Sequence, residues 1–250
     1  MSEKLPIISL SVHHQDFNES LDLVLEWAGK NQPAYVCFAN VHMTIEAYRD
    51  KQFLAQVENA NLVLADGKPI AAACNLLYKK KQERISGMDF MPRLLERLNE
   101  IKGSVFFYGS TLEILEQLKQ RLTEKYPDVI NAGSISPSFG PVNEEEVLID
   151  IEKINRSEAQ VIFVSLGCPK QEKWMATYSS KIKAVLLGVG AAFSVFAGNR
   201  KRAPLWMQKL ALEWFFRLMQ QPRQLSKRYF TTNFLFLFLL TREWLKKVFR

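Results

Sequence analysis

The sequence predicts a Rossmann-like α/β fold, a mostly parallel sheet with helices on both faces, followed by a basic helical C-terminal appendage. Three observations carry that expectation. Short, continuous runs of β-branched, aromatic and aliphatic residues recur at Ala34–Phe38, Asn61–Ala65, Ser104–Tyr108, Val161–Leu166 and Ala184–Val189, as strands buried on both faces require. Amphipathic segments of helical period separate them. No hairpin signal joins consecutive runs, so the strands are expected to pair in parallel through helical crossovers.

In order, a strand is expected around Ile7–Val12, then a helix capped by Asn18 with Leu21, Val24, Leu25 and Ala28 on one face. Strand Ala34–Phe38 ends at Asn40, and helical period returns over Val41–Ala60 with a break near Asp50. Strand Asn61–Ala65 runs directly into Asp66-Gly67. The next helix, Pro69–Tyr78, has its proline in the first turn, where a missing N–H costs nothing. Lys79–Ser86 reads as a basic surface loop, and Gly87-Met88-Asp89 opens a helix running to Ile101. Strand Ser104–Tyr108 turns through Gly109-Ser110-Thr111 into helix Leu112–Tyr126. Strand Val129–Ile135 leads to a loop over Ser136–Pro141, and Asn143 caps helix Glu144–Ser157, whose first glutamates suit the positive end of the helix dipole. Strand Val161–Leu166 breaks at Gly167 and Pro169 into helix Gln171–Ser179, and strand Ala184–Val189 ends at Gly190. Right-handed crossovers would gather Asn40, Asp66, Gly109, Gly167–Glu172 and Gly190 at the carboxyl ends of the strands, where open α/β sheets bind ligands.

At 250 residues and 48% hydrophobic composition, the chain can bury one core with a small appendage. The division is placed at residues 1–198 for the α/β core and 199–250 for the appendage. Charge divides at the same place: residues 200–250 carry +10, and the remaining 199 carry −3. An anionic partner is therefore expected for the tail. Phe230–Leu240 is strongly apolar but only eleven residues long. A spanning helix needs roughly 20 such residues, so a helix lying in the interface of an anionic membrane is expected instead, the alternative being an ordinary C-terminal helix docked on the core. A nucleic acid is the alternative anion, but base stacking does not call for a continuous Phe-Leu block. Three widely spaced cysteines fit neither a disulfide framework nor a zinc site and point to a reducing cytosol. The apolar segment of the N-terminus is too short for a secretory signal. No cofactor or metal is called for.

Asp66 is the leading reactive candidate, and two roles are open to it: a general base, or the N-cap of the following helix. Arg84, Gly87 and Asp89 form an RxxGxD pattern in which Arg84 suits a diphosphate, while Asp89 suits either a helix cap or a ligand hydroxyl. Gly109 and its neighbours offer backbone N–H groups at a helix start. Lys170, Gln171 and Glu172 open a helix at the sheet's ligand edge.

Taken together, ADG (65–67), RISGMD (84–89), GCPKQEKW (167–174), GVGAAF (188–193) and RAPLWMQKLALEWFFRL (202–218) with QPRQL after it resemble, in order and spacing, the WecG/TagA/CpsF glycosyltransferases. The resemblance covers about Tyr35 to Tyr229. It implies a Rossmann-like core and a C-terminal appendage that aids membrane attachment and completes the site. It also implies inverting transfer of a hexosamine-type sugar from a UDP-sugar to a polyprenyl-diphosphate-linked acceptor, at the cytoplasmic face of a bacterial membrane, in surface polysaccharide synthesis. By position, Asp66 matches the family's proposed base. Asn40, Arg84, Gln171 and Glu172 match sugar-nucleotide or acceptor-site residues, and Arg202, Arg217 and Arg223 match appendage arginines that meet the diphosphate. The pattern departs at Phe38, where many members have threonine, and at Ser194, where many have aspartate. Those departures leave the donor sugar open. A homo-oligomer is compatible with the sequence, as is an inactive scaffold member of the family or a nucleotide-binding module.

Overall fold

The computed structural model describes residues 2–138, 140 and 143–249, apart from the side chains of Lys209, Gln224, Lys227 and Arg228. Part of the loop expected over Ser136–Pro141 lies outside the described residues.

Strands β1 (Lys4–Ile7) and β2 (Leu10–His13) form an antiparallel hairpin. This corrects the single strand expected over Ile7–Val12. The turn passes through Ile8 at φ 61°, a left-handed conformation that a β-branched residue rarely adopts, so the sequence carries no turn signal there. Helix α1 (Phe17–Gly29) is capped by Asp16 rather than Asn18: the Asp16 carboxylate accepts the Glu19 N–H, and Glu19 reciprocates in a capping box.

Six strands form the main sheet: β3 (Ala34–Ala39), β4 (Leu62–Ala65), β5 (Ser104–Gly109), β6 (Ile130–Ile135), β7 (Val161–Ser165) and β8 (Val185–Gly188). They lie in the order β4-β3-β8-β7-β5-β6, every neighbouring pair parallel. The order reverses between β3 and β8, so the crevice over their carboxyl ends is a switch point of the kind that binds ligands.

Successive side chains of each central strand enter opposite cores, which is why the strands read as unbroken apolar runs. On one face Tyr35, Cys37, Ile162, Val164 and Leu186 pack with α2 (Val41–Arg49), α3 (Lys51–Glu58), α4 (Lys68–Tyr78), α7 (Glu144–Arg156) and α8 (Lys170–Tyr178). On the other, Val36, Phe38, Phe107, Phe163 and Leu187 pack with α1, α5 (Gly87–Glu100), α6 (Leu112–Lys125) and α9 (Ala192–Phe196). The expected break near Asp50 is real: Asp50 ends α2 and caps α3, accepting the Gln52 and Phe53 N–H groups.

After α9 come α10 (Leu205–Lys209), α11 (Glu213–Gln220) and the 27-residue α12 (Pro222–Val248). Helix α12 folds back against α2 and α4, burying Thr232, Phe236 and Leu239. Its far end is pinned by Glu243, which accepts the Ile8 N–H, and by Lys247, whose ammonium lies 3.4 Å from the Tyr78 ring centroid.

Phe163 sits at the centre of the second core, fully buried and stacked on Phe107 at 5.9 Å. Phe163→Ala is expected to lower unfolding free energy by about 3–5 kcal/mol, read as a shift of the urea midpoint at unchanged slope.

Candidate active site

A cavity of about 740 Å³ opens over the carboxyl ends of β3, β4, β7 and β8. One wall is the sheet edge and the other is the tail. The sheet side supplies Phe38, Asn40, Asp66, Gly67, Arg84, Gly87, Gly167, Gln171, Glu172 and Gly190; the tail supplies Glu213, Trp214, Arg217, Tyr229 and Phe236 among others.

Asp66 follows β4, and its N–H donates to the Ala39 carbonyl at 2.8 Å, extending the β3–β4 ladder by one residue. It does not cap α4. Gly67 holds the cap position at φ 91° and no side chain caps the helix. The Asp66 carboxylate is left facing the cavity, together with the positive end of α4. Asn40 caps α2 through its oxygen, which accepts the Met43 N–H at 3.1 Å. Its amide also hydrogen-bonds the Asp66 side chain. Burial pushes the Asp66 carboxyl up to about 7, and the charge of Glu213 adds to the rise. Arg84, Arg217 and the Asn40 hydrogen bond oppose it.

Arg84 is held from both sides. One guanidinium nitrogen donates to Asp89 at 2.5 Å and another to Glu213. Asp89 in turn pairs with Arg202 at 2.6 Å and accepts the Ser86 hydroxyl. The N-cap of α5 is Ser86, which leaves Asp89 to organise the two arginines. Arg202 lines a small side pocket with Arg200, Lys201 and Arg217. Gly87 lies where an added Cβ would come within 3.3 Å of the Val189 backbone, so it serves close helix–strand packing as well as lining the cavity.

Gln171 is buried and fully engaged. Its oxygen accepts the Gly167 N–H at 3.2 Å, and its nitrogen donates to Glu172 at 2.7 Å and to the Gly188 carbonyl at 2.8 Å. It fixes the β7 loop against the end of β8. Glu172 is wholly buried beside it, and one carboxyl oxygen has no partner among the described residues. Burial pushes its carboxyl up to about 7, against the hydrogen bonds it accepts from Gln171, its own backbone and the Cys168 thiol.

Five expected residues are outside the cavity wall: Asp89 stands behind Arg84, Arg202 lines the side pocket, and Gly109, Lys170 and Arg223 lie further away. The Ser110 N–H of the Gly109 turn donates to the Ser165 carbonyl, and the Thr111 side chain caps α6 by accepting the Ile114 N–H. Gly109 instead permits the close approach of β5 to β7, since a Cβ there would lie 2.5 Å from the Ser165 oxygen. Lys170 and Arg223 are solvent-exposed on the first turns of α8 and α12. Conversely, Arg200, Glu213, Trp214 and Tyr229 line the cavity without having been singled out in the sequence. Among the described residues, no group of three His, Cys, Asp or Glu side chains could hold a metal ion.

A Rossmann-like sheet whose switch-point cleft joins a carboxylate of raised pKa to several arginines is suited to an anionic ligand. The profile of the Glycosyl transferase WecG/TagA/CpsF family matches residues 5–250. The chain belongs to that family of glycosyltransferases. It is similar to the N-acetylglucosaminyldiphosphoundecaprenol N-acetyl-beta-D-mannosaminyltransferases of Bacillus subtilis strain 168 (33% identical, covering 76% of this chain and 72% of the relative) and Bacillus spizizenii (33%, 77% and 74%). The Staphylococcus aureus MW2 enzyme of the same name is 28% identical over 77% of this chain and 74% of its own length.

Glu172 has its folded pKa above its unfolded value, so the folded state binds more protons between about pH 4.5 and 7. Its contribution to stability is therefore present below that window and is lost as pH rises through it. Glu172→Gln removes the titration. The stability gap between pH 5 and pH 8 is expected to be smaller in the variant by on the order of 2 kcal/mol, measured by urea unfolding at each pH.

Proposed function

We propose that this glycosyltransferase moves a hexosamine-type sugar from a UDP-sugar to a hydroxyl of a polyprenyl-diphosphate-linked sugar, with inversion, in bacterial surface-polysaccharide synthesis. The observation that carries the reading is the placement of Asp66, oriented by Asn40, flanked by Arg84 and Arg217, and facing a cavity large enough for a sugar nucleotide. The relatives' names make N-acetylmannosamine the first sugar to test and N-acetylglucosaminyldiphosphoundecaprenol the first acceptor.

In the proposed reaction Asp66 accepts the proton of the acceptor hydroxyl as that oxygen attacks the anomeric carbon and UDP departs. A base held near pH 7 matches neutral operation. Arg84, Arg217 and the positive end of α4 offset the charge that develops on the leaving diphosphate. Asn40 orients the base, and Gln171 keeps the β7 loop and the end of β8 in register around the sugar.

A lipid acceptor accounts for the tail. The cavity wall runs outward through Leu225, Phe236 and Leu237. From there α12 presents Phe230, Phe234 and Phe238 at 80%, 74% and 59% exposure, four residues apart on one face. No helix among the described residues is long and apolar enough to cross a membrane. The tail's +10 charge and its exposed aromatic stripe suit a helix lying at the surface of anionic lipid, which would put the protein on the cytoplasmic face of the membrane.

Asp66→Asn is expected to keep UDP affinity and lose roughly 10²–10⁴-fold in turnover. Near-normal turnover would reject the base. The wild-type rate should climb with pH up to about 7 and then level, since the carboxylate form is the active one. Substituting Phe230, Phe234 and Phe238 together by Ser should release the full chain from anionic liposomes without changing its melting temperature. Unchanged co-sedimentation would refute the membrane account.

A further inference from the structure

We propose that Glu213 is a built-in stand-in for a substrate phosphate: its carboxylate holds Arg84 until an incoming diphosphate takes Arg84 over and releases it. The inference rests on the reading of the cleft as a diphosphate-handling site. It assigns a role to a side chain that the mechanism above does not use.

The two carboxylates on Arg84 are not equivalent. Asp89 is anchored by Arg84, Arg202 and the Ser86 hydroxyl, with both of its oxygens engaged. Glu213 has Arg84 alone: one oxygen pairs with the guanidinium, and the other is shielded from solvent and has no partner among the described residues. A shielded carboxylate oxygen without a donor is costly, so Glu213 is the partner more readily exchanged. A doubly charged phosphate group offers Arg84 a stronger acceptor in the same geometry.

Position supports the exchange. Glu213 lies at the start of α11, lines the cavity beside Arg200 and Arg217, and is the acidic residue on the tail's wall. An anion entering against those arginines meets like charge as long as Glu213 remains. Helix α11 can yield, because none of its residues is buried and no side chain caps it. It is entered through Ala211 at φ 62°. Few contacts resist a shift of this one short helix, whereas Asp89 sits in α5, whose apolar face is embedded in the core. Release of Glu213 would free α11, with Arg217 a turn later, to close on the diphosphate.

The test is isothermal titration of the full-length wild type and Glu213→Gln, with UDP as the donor-derived probe and farnesyl diphosphate as the acceptor-like one. Removing a like charge close to a bound anion is expected to tighten binding by about tenfold or more, whereas a purely structural Glu213 would weaken it when lost. Tightening for UDP alone assigns the exchange to the donor diphosphate, and tightening for farnesyl diphosphate alone assigns it to the acceptor. Equal or weaker binding of both probes by Glu213→Gln overturns the proposal. If UDP binds neither protein but farnesyl diphosphate binds the variant more tightly, the exchange stands and the UDP-sugar reading falls. Glu213→Ala, matched to wild type in melting temperature, repeats the comparison should the glutamine variant fold poorly.

Discussion

The cleft depends on how one guanidinium is held. Arg84 leaves the loop before α5 and is clamped between Asp89 of α5 and Glu213 of α11, which ties the sheet edge to the tail across the cleft. A mostly buried arginine must be paired, and removing one partner from such a network costs far more than the network adds to net stability. The value of the arrangement is geometric. It fixes the height of α11 above β4, and with it the distance of Arg217 and Glu213 from Asp66. Arg202, paired to the far oxygen of Asp89, extends the same network along the chain toward α10.

Asp66 and Glu172 illustrate how environment separates two carboxyls with similar pKa values. Burial raises both to about 7, but their surroundings differ in kind. Asp66 faces the cavity with two arginines and an amide donor that favour its charged form, a balance that suits a group passing a proton to and fro. Glu172 has no cation among the groups that set its pKa. It is tied to Gln171 and Cys168 in the cavity floor. Gln171 joins the loop after β7 to the end of β8 by two hydrogen bonds, so the stretch most recognisable in the sequence is a frame for the cavity.

The sheet was legible in the sequence because its central strands are buried on both faces, and a double burden of apolar residues has no other short solution. The helix break at Asp50 was legible for the same local reason: a capping carboxylate announces itself. The N-terminal hairpin was not, since Ile8 takes a left-handed turn that no glycine or asparagine marks. In the site, strand-end residues such as Asn40, Asp66 and Gln171 were found because crossovers collect strand ends. Gly109 was placed there by the same rule and lies outside the cavity wall, where it serves the close approach of β5 to β7. Glu213, Trp214 and Tyr229 escaped because their placement follows from the docking of α12 on α2 and α4, a long-range contact. The periodicity of the tail gave its apolar faces but not which face would meet the core.

The docked tail also reconciles a basic, Phe-rich segment with the lack of a membrane-crossing helix among the described residues. Phe236 and Leu239 point into the core, while Phe230, Phe234 and Phe238 face outward along the same helix, so one element serves as a cavity wall and carries an exposed aromatic stripe. The most direct measurement of the account is UDP release by the full-length protein, given UDP-N-acetylmannosamine with and without a polyprenyl-diphosphate-linked N-acetylglucosamine. The account predicts rapid release only when the lipid-linked acceptor is present, with one sugar added to that acceptor for each UDP. Across a panel of UDP-hexosamines, absence of acceptor-dependent release would contradict it.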